Sequence, residues 1–232
     1  MSQYAAWERE YRKPQLLTKE NKPQSSVLDA LKSLKKSGFI LSDKRILDIG
    51  SGAGRNTNHL ASLGNTVTGL EISDTAIETA RNYAKKDGVE VSYIKHDVGT
   101  AFPLESGTFD LALDITTSNS LSESERAIYL SETARVLKDG GYFIVRALCK
   151  DGDQNAKQLL KLSPGKESDT YVIKELSLTE RVFSEADFRS LYGTFFNLVS
   201  LTKKSSYARM NNRVYKRNYF VAIFQKKQLY GL

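Results

Sequence analysis

The segment Ile46-Leu47-Asp48-Ile49-Gly50-Ser51-Gly52-Ala53-Gly54 constrains the fold more than any other. A run with the character of a buried strand passes into three glycines at alternate positions, and a helix-forming stretch follows. Glycine allows a sharp turn and lets a ligand approach the backbone with no Cβ in the way. A helix that starts there presents unpaired N–H groups to whatever lies in front of it. Strand, glycine loop and helix in that order predict an open α/β sheet with its binding edge at the carboxyl ends of the strands.

The chain beyond the loop keeps alternating. Arg45 to Ile49 reads as a first strand and Gly54 to Leu63 as a helix. Thr66 to Leu70 reads as a second strand, and Asp74 as the cap of a helix that ends before Gly88. Val89 to Ile94 and Phe109 to Ile115 read as strands three and four. Ser122 and Glu125 have capping-box spacing for a helix running to Leu137. Asp139-Gly140-Gly141 turns into a fifth strand, Tyr142 to Leu148, and Ser184 caps a helix over Glu185 to Leu191. Two β-rich segments close the chain, about Asn197 to Lys203 and Tyr219 to Phe224. Strands separated by helices imply parallel pairing with right-handed crossovers and helices on both faces. Ahead of this unit, Tyr4, Trp7 and Tyr11 fall on one face of a short helix, and Val27, Leu28, Leu31 and Leu34 form the stripe of another. The expected division is a helical extension or lid over 1–38 and a single domain over 39–232.

Two acidic residues stand where the chemistry of the loop wants them. Glu71 follows the second strand, 21 residues after Gly50, where a carboxylate can accept from both hydroxyls of a ribose. Asp97 follows the third strand, after Ile94-Lys95-His96, in reach of an adenine edge. A nicotinamide dehydrogenase is the competing reading of the loop. Its fingerprint would put glycine where Arg55 stands, and no Tyr-x-x-x-Lys pair follows the fourth strand.

The ordered set resembles the class I S-adenosylmethionine-dependent methyltransferases. It is carried by Leu47 to Gly54, by Glu71, by His96-Asp97, by Phe109-Asp110-Leu111-Ala112-Leu113-Asp114 and by Arg135-Val136-Leu137-Lys138-Asp139-Gly140-Gly141. The resemblance covers roughly residues 40–226 and implies a Rossmann-like three-layer α/β sandwich with a seven-stranded, mostly parallel sheet, order 3-2-1-4-5-7-6, whose strand seven is antiparallel. It implies S-adenosyl-L-methionine as cofactor. Asp48, Ser51 and the backbone of Gly50, Gly52 and Gly54 would hold the methionyl part. Glu71 would take the ribose, Ile72 would pack beside adenine, and Asp97 and Val98 would meet the base. Asp114 and Ile115 would border the methionyl end and face the acceptor.

The acceptor is less legible. The exit of the fourth strand reads Asp114-Ile115-Thr116-Thr117-Ser118-Asn119. It lacks the Asn-Pro-Pro-Tyr or Asp-Pro-Pro-Tyr motif of many adenine- and glutamine-methylating relatives. Leu148, not proline, precedes Cys149, unlike the C5-cytosine enzymes. Candidate catalytic residues are Asp114, Asn119 and Tyr11. Candidate substrate contacts are Tyr4, Trp7, Tyr11, Asn119 and Arg146. A sulfonium methyl is already electrophilic, so alignment and exclusion of water are the main demands on the protein. A small-molecule acceptor is the first expectation. A protein side chain, an RNA, or a cofactor-binding scaffold without turnover are the alternatives.

Charge bears on the alternatives. The net charge is +7, and from Phe188 to Leu232 there are nine Lys or Arg and no Asp or Glu. The stretch Lys203 to Arg217 mixes six basic residues with Tyr207 and Tyr215, a composition suited to an anionic partner. A solvated basic face is the plainer reading. One cysteine excludes an intrachain disulfide and a multi-cysteine zinc site. His59 and His96 are the only histidines, and no cluster has metal-ligand spacing, so no metal is expected. The start of the sequence lacks a secretory pattern, and no apolar run approaches the roughly 20 residues of a membrane span. A cytoplasmic protein is expected.

Overall fold

The computed structural model describes residues 3–14, 21–210 and 213–228. Its central sheet has seven strands: β1 (Arg45–Ile49), β2 (Thr66–Glu71), β3 (Ser92–Lys95), β4 (Phe109–Ile115), β5 (Leu137–Cys149), β8 (Phe196–Met210) and β9 (Arg213–Lys226), in the order β3-β2-β1-β4-β5-β9-β8. The first five run parallel, and β9 lies antiparallel to β5. This is the expected order, with β9 and β8 in the places of strands seven and six.

Register fixes the site. Ile49 on β1 sits between Leu70 on β2 and Asp114 on β4, so the three strands end almost level. Asp48, Glu71 and Asp114 therefore come to one edge. The strands are apolar in nearly every position, as burial on both faces requires. One face is covered by α2 (Ser25–Lys36) and α3 (Arg55–Ser62), with α4 (Asp74–Asp87) beyond them over β3. The other is covered by α5 (Glu123–Val136) and α7 (Glu185–Gly193), whose Tyr129, Phe188 and Tyr192 pack with Phe143, Phe196 and Phe224.

Several boundaries differ from those expected, each for a local reason. The cap of α4 is Ser73, not Asp74, because the Ser73 hydroxyl accepts from the Ala76 amide at 3.1 Å. The division at residue 38 does not divide the core. Val27, Ala30, Leu31 and Leu34 of α2 are buried with Ile46, Leu111 and Ile223, so α2 is a layer of the sandwich. Of the expected extension, α1 (Tyr4–Arg12) is the part that lies apart, packed on α4.

The basic stretch 203–217 is not a loop joining two short strands. The β8–β9 ladder continues from Ser205↔Asn218 to Met210↔Arg213. Pairing of β9 with β5 stops at Cys149↔Asn218, so the far part of the hairpin runs past the carboxyl edge as a two-stranded ribbon. Exposed at Ser206, Tyr207, Val214 and Lys216, the ribbon shows no apolar alternation that would mark it in the sequence. Two further elements carried no periodic signal strong enough to assign: α6 (Gln154–Leu162) and the separate hairpin β6 (Thr170–Ile173) and β7 (Leu178–Arg181). Together with Ala6, Leu148 and Tyr219 they form a small core above the main sheet. No helix among the described residues is long and apolar enough to cross a membrane.

Candidate functional site

The glycine loop turns where the sequence places it. Gly50, Gly52 and Gly54 all have positive φ, at 71°, 55° and 83°. At Gly50 a Cβ would overlap the Thr117 side chain, which donates to the Ile49 carbonyl at 2.9 Å. At Gly52 it would run into the Tyr11 hydroxyl. The loop is thus gripped by the β4 exit on one side and covered by α1 on the other.

Three carboxylates ring this loop. Asp48 is buried, and its Oδ2 accepts from the Thr57 hydroxyl at 2.6 Å. Burial pushes its carboxyl up to about 6; the Thr57 bond works against that, and Asp114 and Glu71 add to it. Glu71 accepts three backbone N–H bonds, from Gly52, Ile72 and Ser73, each at 2.9 Å. Burial still raises its pKa against those bonds. Asp114 is fully buried and accepts from the amides of Thr117 at 2.7 Å and Ser118 at 3.1 Å, and from the Tyr129 hydroxyl at 2.5 Å. Burial raises it too. Each carboxyl is held by donors of the protein, and Arg55 bears on Asp48, yet three carboxylates share this edge. Such a cleft favours a ligand that brings a cation.

The remaining cofactor candidates lie around the same edge. Ile72 and Ile115 are half-buried beside Glu71 and Asp114. Asp97 is half-buried just beyond β3, where its Oδ1 accepts from the Gly99 amide at 2.9 Å, and Val98 packs into the main core. Ser51 is buried with no partner for its hydroxyl among the described residues.

Helix α1 spans this edge, tied down at both ends. Glu8 accepts from the Ser73 hydroxyl at 2.7 Å, the Thr75 hydroxyl at 2.6 Å and the Thr75 amide at 3.2 Å. It thereby caps α4 from outside. Burial alone would raise its pKa, but the Ser73 and Thr75 bonds outweigh it and hold the carboxyl down at about 2. Tyr4 donates to Asp74 at 2.9 Å. On the opposite side the Gln3 side chain bonds the backbone of Ser120 and Thr179, and Arg9 donates to the Leu176 carbonyl at 3.0 Å. Between these ties stand Trp7 and Tyr11, ring centroids 6.4 Å apart. Tyr11 faces the loop with its hydroxyl, and burial and Glu71 raise its pKa well above the usual phenol value.

One candidate, Asn119, has structural work. The Asn119 amide donates to the Arg181 carbonyl at 2.6 Å, and its oxygen accepts from the Leu148 amide at 3.2 Å. It ties β7 to β5, a role of position that its place in the sequence did not distinguish from catalysis. Cys149 is buried, and burial pushes its thiol up to about 11. His59 is half-buried on α3, where burial lowers its pKa. Among the described residues no group of His, Cys, Asp and Glu could hold a metal. Glu8, Gln3, Thr57 and Thr117 were not anticipated. Their importance depends on contacts across 9 to 176 positions of sequence, for which the chain carries no local signal.

The chain matches the family described as "Methyltransferase domain" over residues 46–141. It is 29% identical over 165 residues to the ubiquinone biosynthesis O-methyltransferase of Alkalilimnicola ehrlichii, covering 68% of this chain and 66% of that one. Of this and seven further ubiquinone biosynthesis O-methyltransferases, the chain spans about 32% to 66% of their length. Among solved structures, a SAM-dependent methyltransferase of Methanosarcina mazei superposes with a TM-score of 0.73 at 24% identity, covering 83% of this chain and 97% of that one. The 1,6-didemethyltoxoflavin-N1-methyltransferase of Burkholderia thailandensis, solved with 1,6-didemethyltoxoflavin and S-adenosylhomocysteine, gives 0.62 at 17%, with 88% and 79% covered. At these identities the likeness to both structures is one of fold. Residues 46–141 are thus similar to a methyltransferase domain, and the sheet order and superpositions give the chain the fold of SAM-dependent methyltransferases of known structure.

Proposed function

We propose that this protein transfers a methyl group from S-adenosylmethionine to a small-molecule acceptor. The observation that carries the reading is the set of three buried carboxylates, Asp48, Glu71 and Asp114, at level strand ends around a glycine loop. A ligand with an ammonium and a sulfonium brings positive charge to these carboxylates. The residues present fit that cofactor: Asp48, Ser51 and the Gly50–Gly54 backbone for the methionyl group, Glu71 for the ribose, Ile72, Asp97 and Val98 for adenine. Asp114 and Ile115 border the acceptor side.

The cofactor supplies an electrophilic methyl, so the protein's share is alignment and dryness. Asp114 is spoken for by Tyr129 and two amides, which suits an orienting role. Tyr11 keeps its proton, because burial holds its pKa high. It acts by hydrogen bonding and by closing the cleft, not as a base. Helix α1 serves as the lid over that cleft, with Trp7 and Tyr4 beside it.

A small acceptor is favoured by the relatives, whose names specify ubiquinone biosynthesis and a toxoflavin precursor. The basic hairpin offers less to a polyanion than its composition suggests. Lys204 pairs with Asp29, and Arg217 is buried beside Asp153. A buried thiol in a chain with one cysteine fits the reducing cytoplasm.

Calorimetry with S-adenosylhomocysteine tests the reading. Glu71→Gln keeps an acceptor for the loop amides and removes the charge. It should weaken binding by about 1–3 kcal/mol, roughly 5- to 150-fold. Unchanged affinity would remove Glu71 from the cofactor site.

A further inference from the structure

Arg146 stands on β5, opposite Ile115 on β4 and Val221 on β9. Its guanidinium lies over the Tyr219 ring, 3.5 Å from the centroid. Among the described residues no carboxylate pairs with it. Three other arginines each have an oxygen partner, though Arg126 Nη1, Arg181 Nε and Arg217 Nε are buried with no hydrogen bond. Arg217 has Asp153, Arg181 has Asp187, and Arg126 donates to the carbonyls of Ser118 and Leu121. The charged group that does bear on Arg146 is Arg217. Burial lowers its pKa, the Tyr219 side chain works against that by charge and hydrogen bonding, and Arg217 lowers it a little further. An arginine cannot discard its proton to escape such a place, and a stacked ring compensates only in part.

The surroundings locate this cation relative to the methyl-transfer cleft. The Thr116 amide donates to the Arg146 carbonyl at 2.8 Å, and the next residue, Thr117, grips the glycine loop. The side chain shares its sheet face with Leu148 and Tyr219, which form one small core with Ala6 of α1, and Trp7 packs against that core. Arg146 therefore sits beneath α1, on the far side of the β4 exit from the glycine loop. The cofactor cleft is already acidic, so the missing anion belongs to the other reactant.

We infer that Arg146, stacked on Tyr219, is an oxyanion subsite for the methyl acceptor, which makes the acceptor a small molecule bearing a carboxylate or a phosphate. This deepens the methyl-transfer reading and rests on it.

The test uses the full chain and two probe anions, 4-hydroxybenzoate and phenyl phosphate, with 4-hydroxybenzamide as the uncharged comparison. Binding is followed by ligand-observed NMR with and without S-adenosylhomocysteine. At least one anion should bind the wild type tenfold or more tightly than the amide. Arg146→Gln should abolish that preference while leaving S-adenosylhomocysteine affinity within about twofold. Arg146→Lys, which keeps charge and loses the planar fork, should fall between them and guards against a misfolded glutamine variant. Which anion is preferred distinguishes carboxylate from phosphate. Anion binding that survives Arg146→Gln, or no preference for either anion in the wild type, would overturn the subsite. A wild type that fails to bind S-adenosylhomocysteine is read separately and overturns the methyl-transfer reading beneath it.

Discussion

Asp48 shows what the site costs the fold. Its carboxyl has an ordinary value of 3.8 and is raised to about 6 in the fold. A raised acid stabilises the folded state fully below its unfolded pKa and loses that contribution as pH rises through the folded value. Above about pH 6 the ionised group opposes folding by about 3 kcal/mol. Asp48→Asn removes this opposition without changing the shape of the side chain. The variant should be more stable than wild type at pH 7.5, by up to about 3 kcal/mol, and the gap should close towards pH 4. Urea melts at both pH values check this. The same variant should bind S-adenosylhomocysteine more weakly, which separates a functional strain from a folding defect. Gly50 makes a complementary point. Its φ of 71° is met by glycine, but the reason no side chain fits is Thr117, 67 residues away. The glycine pattern was legible in the sequence, while the partner that requires it was not.

At the level of elements, legibility followed periodicity and capping. Strand β4 was read to the residue, and α5 announced itself through Ser122 and Glu125, whose mutual bonds close the capping box. The parts that failed were those whose sequence reflects solvent or tertiary partners: the distal β8–β9 ribbon, α6, and the β6–β7 hairpin. Of the site, the carboxylates and the loop were readable because a strand end in an open sheet has a fixed place. The clamp on α1 was not, because Glu8 reads as one more charge on an amphipathic helix. That clamp is nevertheless specific enough to test. Glu8 receives three hydrogen bonds from Ser73 and Thr75. Glu8→Ala should loosen α1 by about 1–3 kcal/mol and leave the Thr75 amide in the first turn of α4 without this acceptor. Hydrogen exchange should show protection falling in α1 and the first turn of α4, with the β1 and β4 amides unchanged. Since the Glu8 carboxyl is lowered to about 2, its contribution is present above pH 4.5 and fades only as pH falls towards 2. Wild-type α1 should therefore keep its protection at pH 5.

The whole molecule joins an acidic cleft to a basic remainder, and the two respond to a ligand differently. The net charge of +7 comes from the end of the chain, yet the cleft at the strand edge gathers three buried carboxylates. A cationic ligand relieves the repulsion among those carboxylates, so its binding is linked to their ionisation. S-adenosylhomocysteine carries an ammonium balanced by its α-carboxylate, while S-adenosylmethionine adds the sulfonium and with it a net positive charge. At a free concentration of about 100 times its Kd either ligand stabilises the fold by about 2.7 kcal/mol, which for a chain of this size raises Tm by about 5–10 °C. At one fixed concentration the two should diverge with pH. Binding a cation favours the ionised form of Asp48, whose value in the free protein is about 6, so affinity rises with pH through that range. Thermal melts at pH 5 and pH 7.5 should show a larger shift at the higher pH for both ligands. The gain should be steeper for S-adenosylmethionine, because its second positive charge interacts with the same carboxylates. In Asp48→Asn this pH dependence should flatten between pH 5 and 7. A shift that stayed equal at the two pH values in the wild type would mean that the carboxylates do not sense the ligand's charge. The electrostatic account of the cleft would then have to be given up, even if the ligand bound.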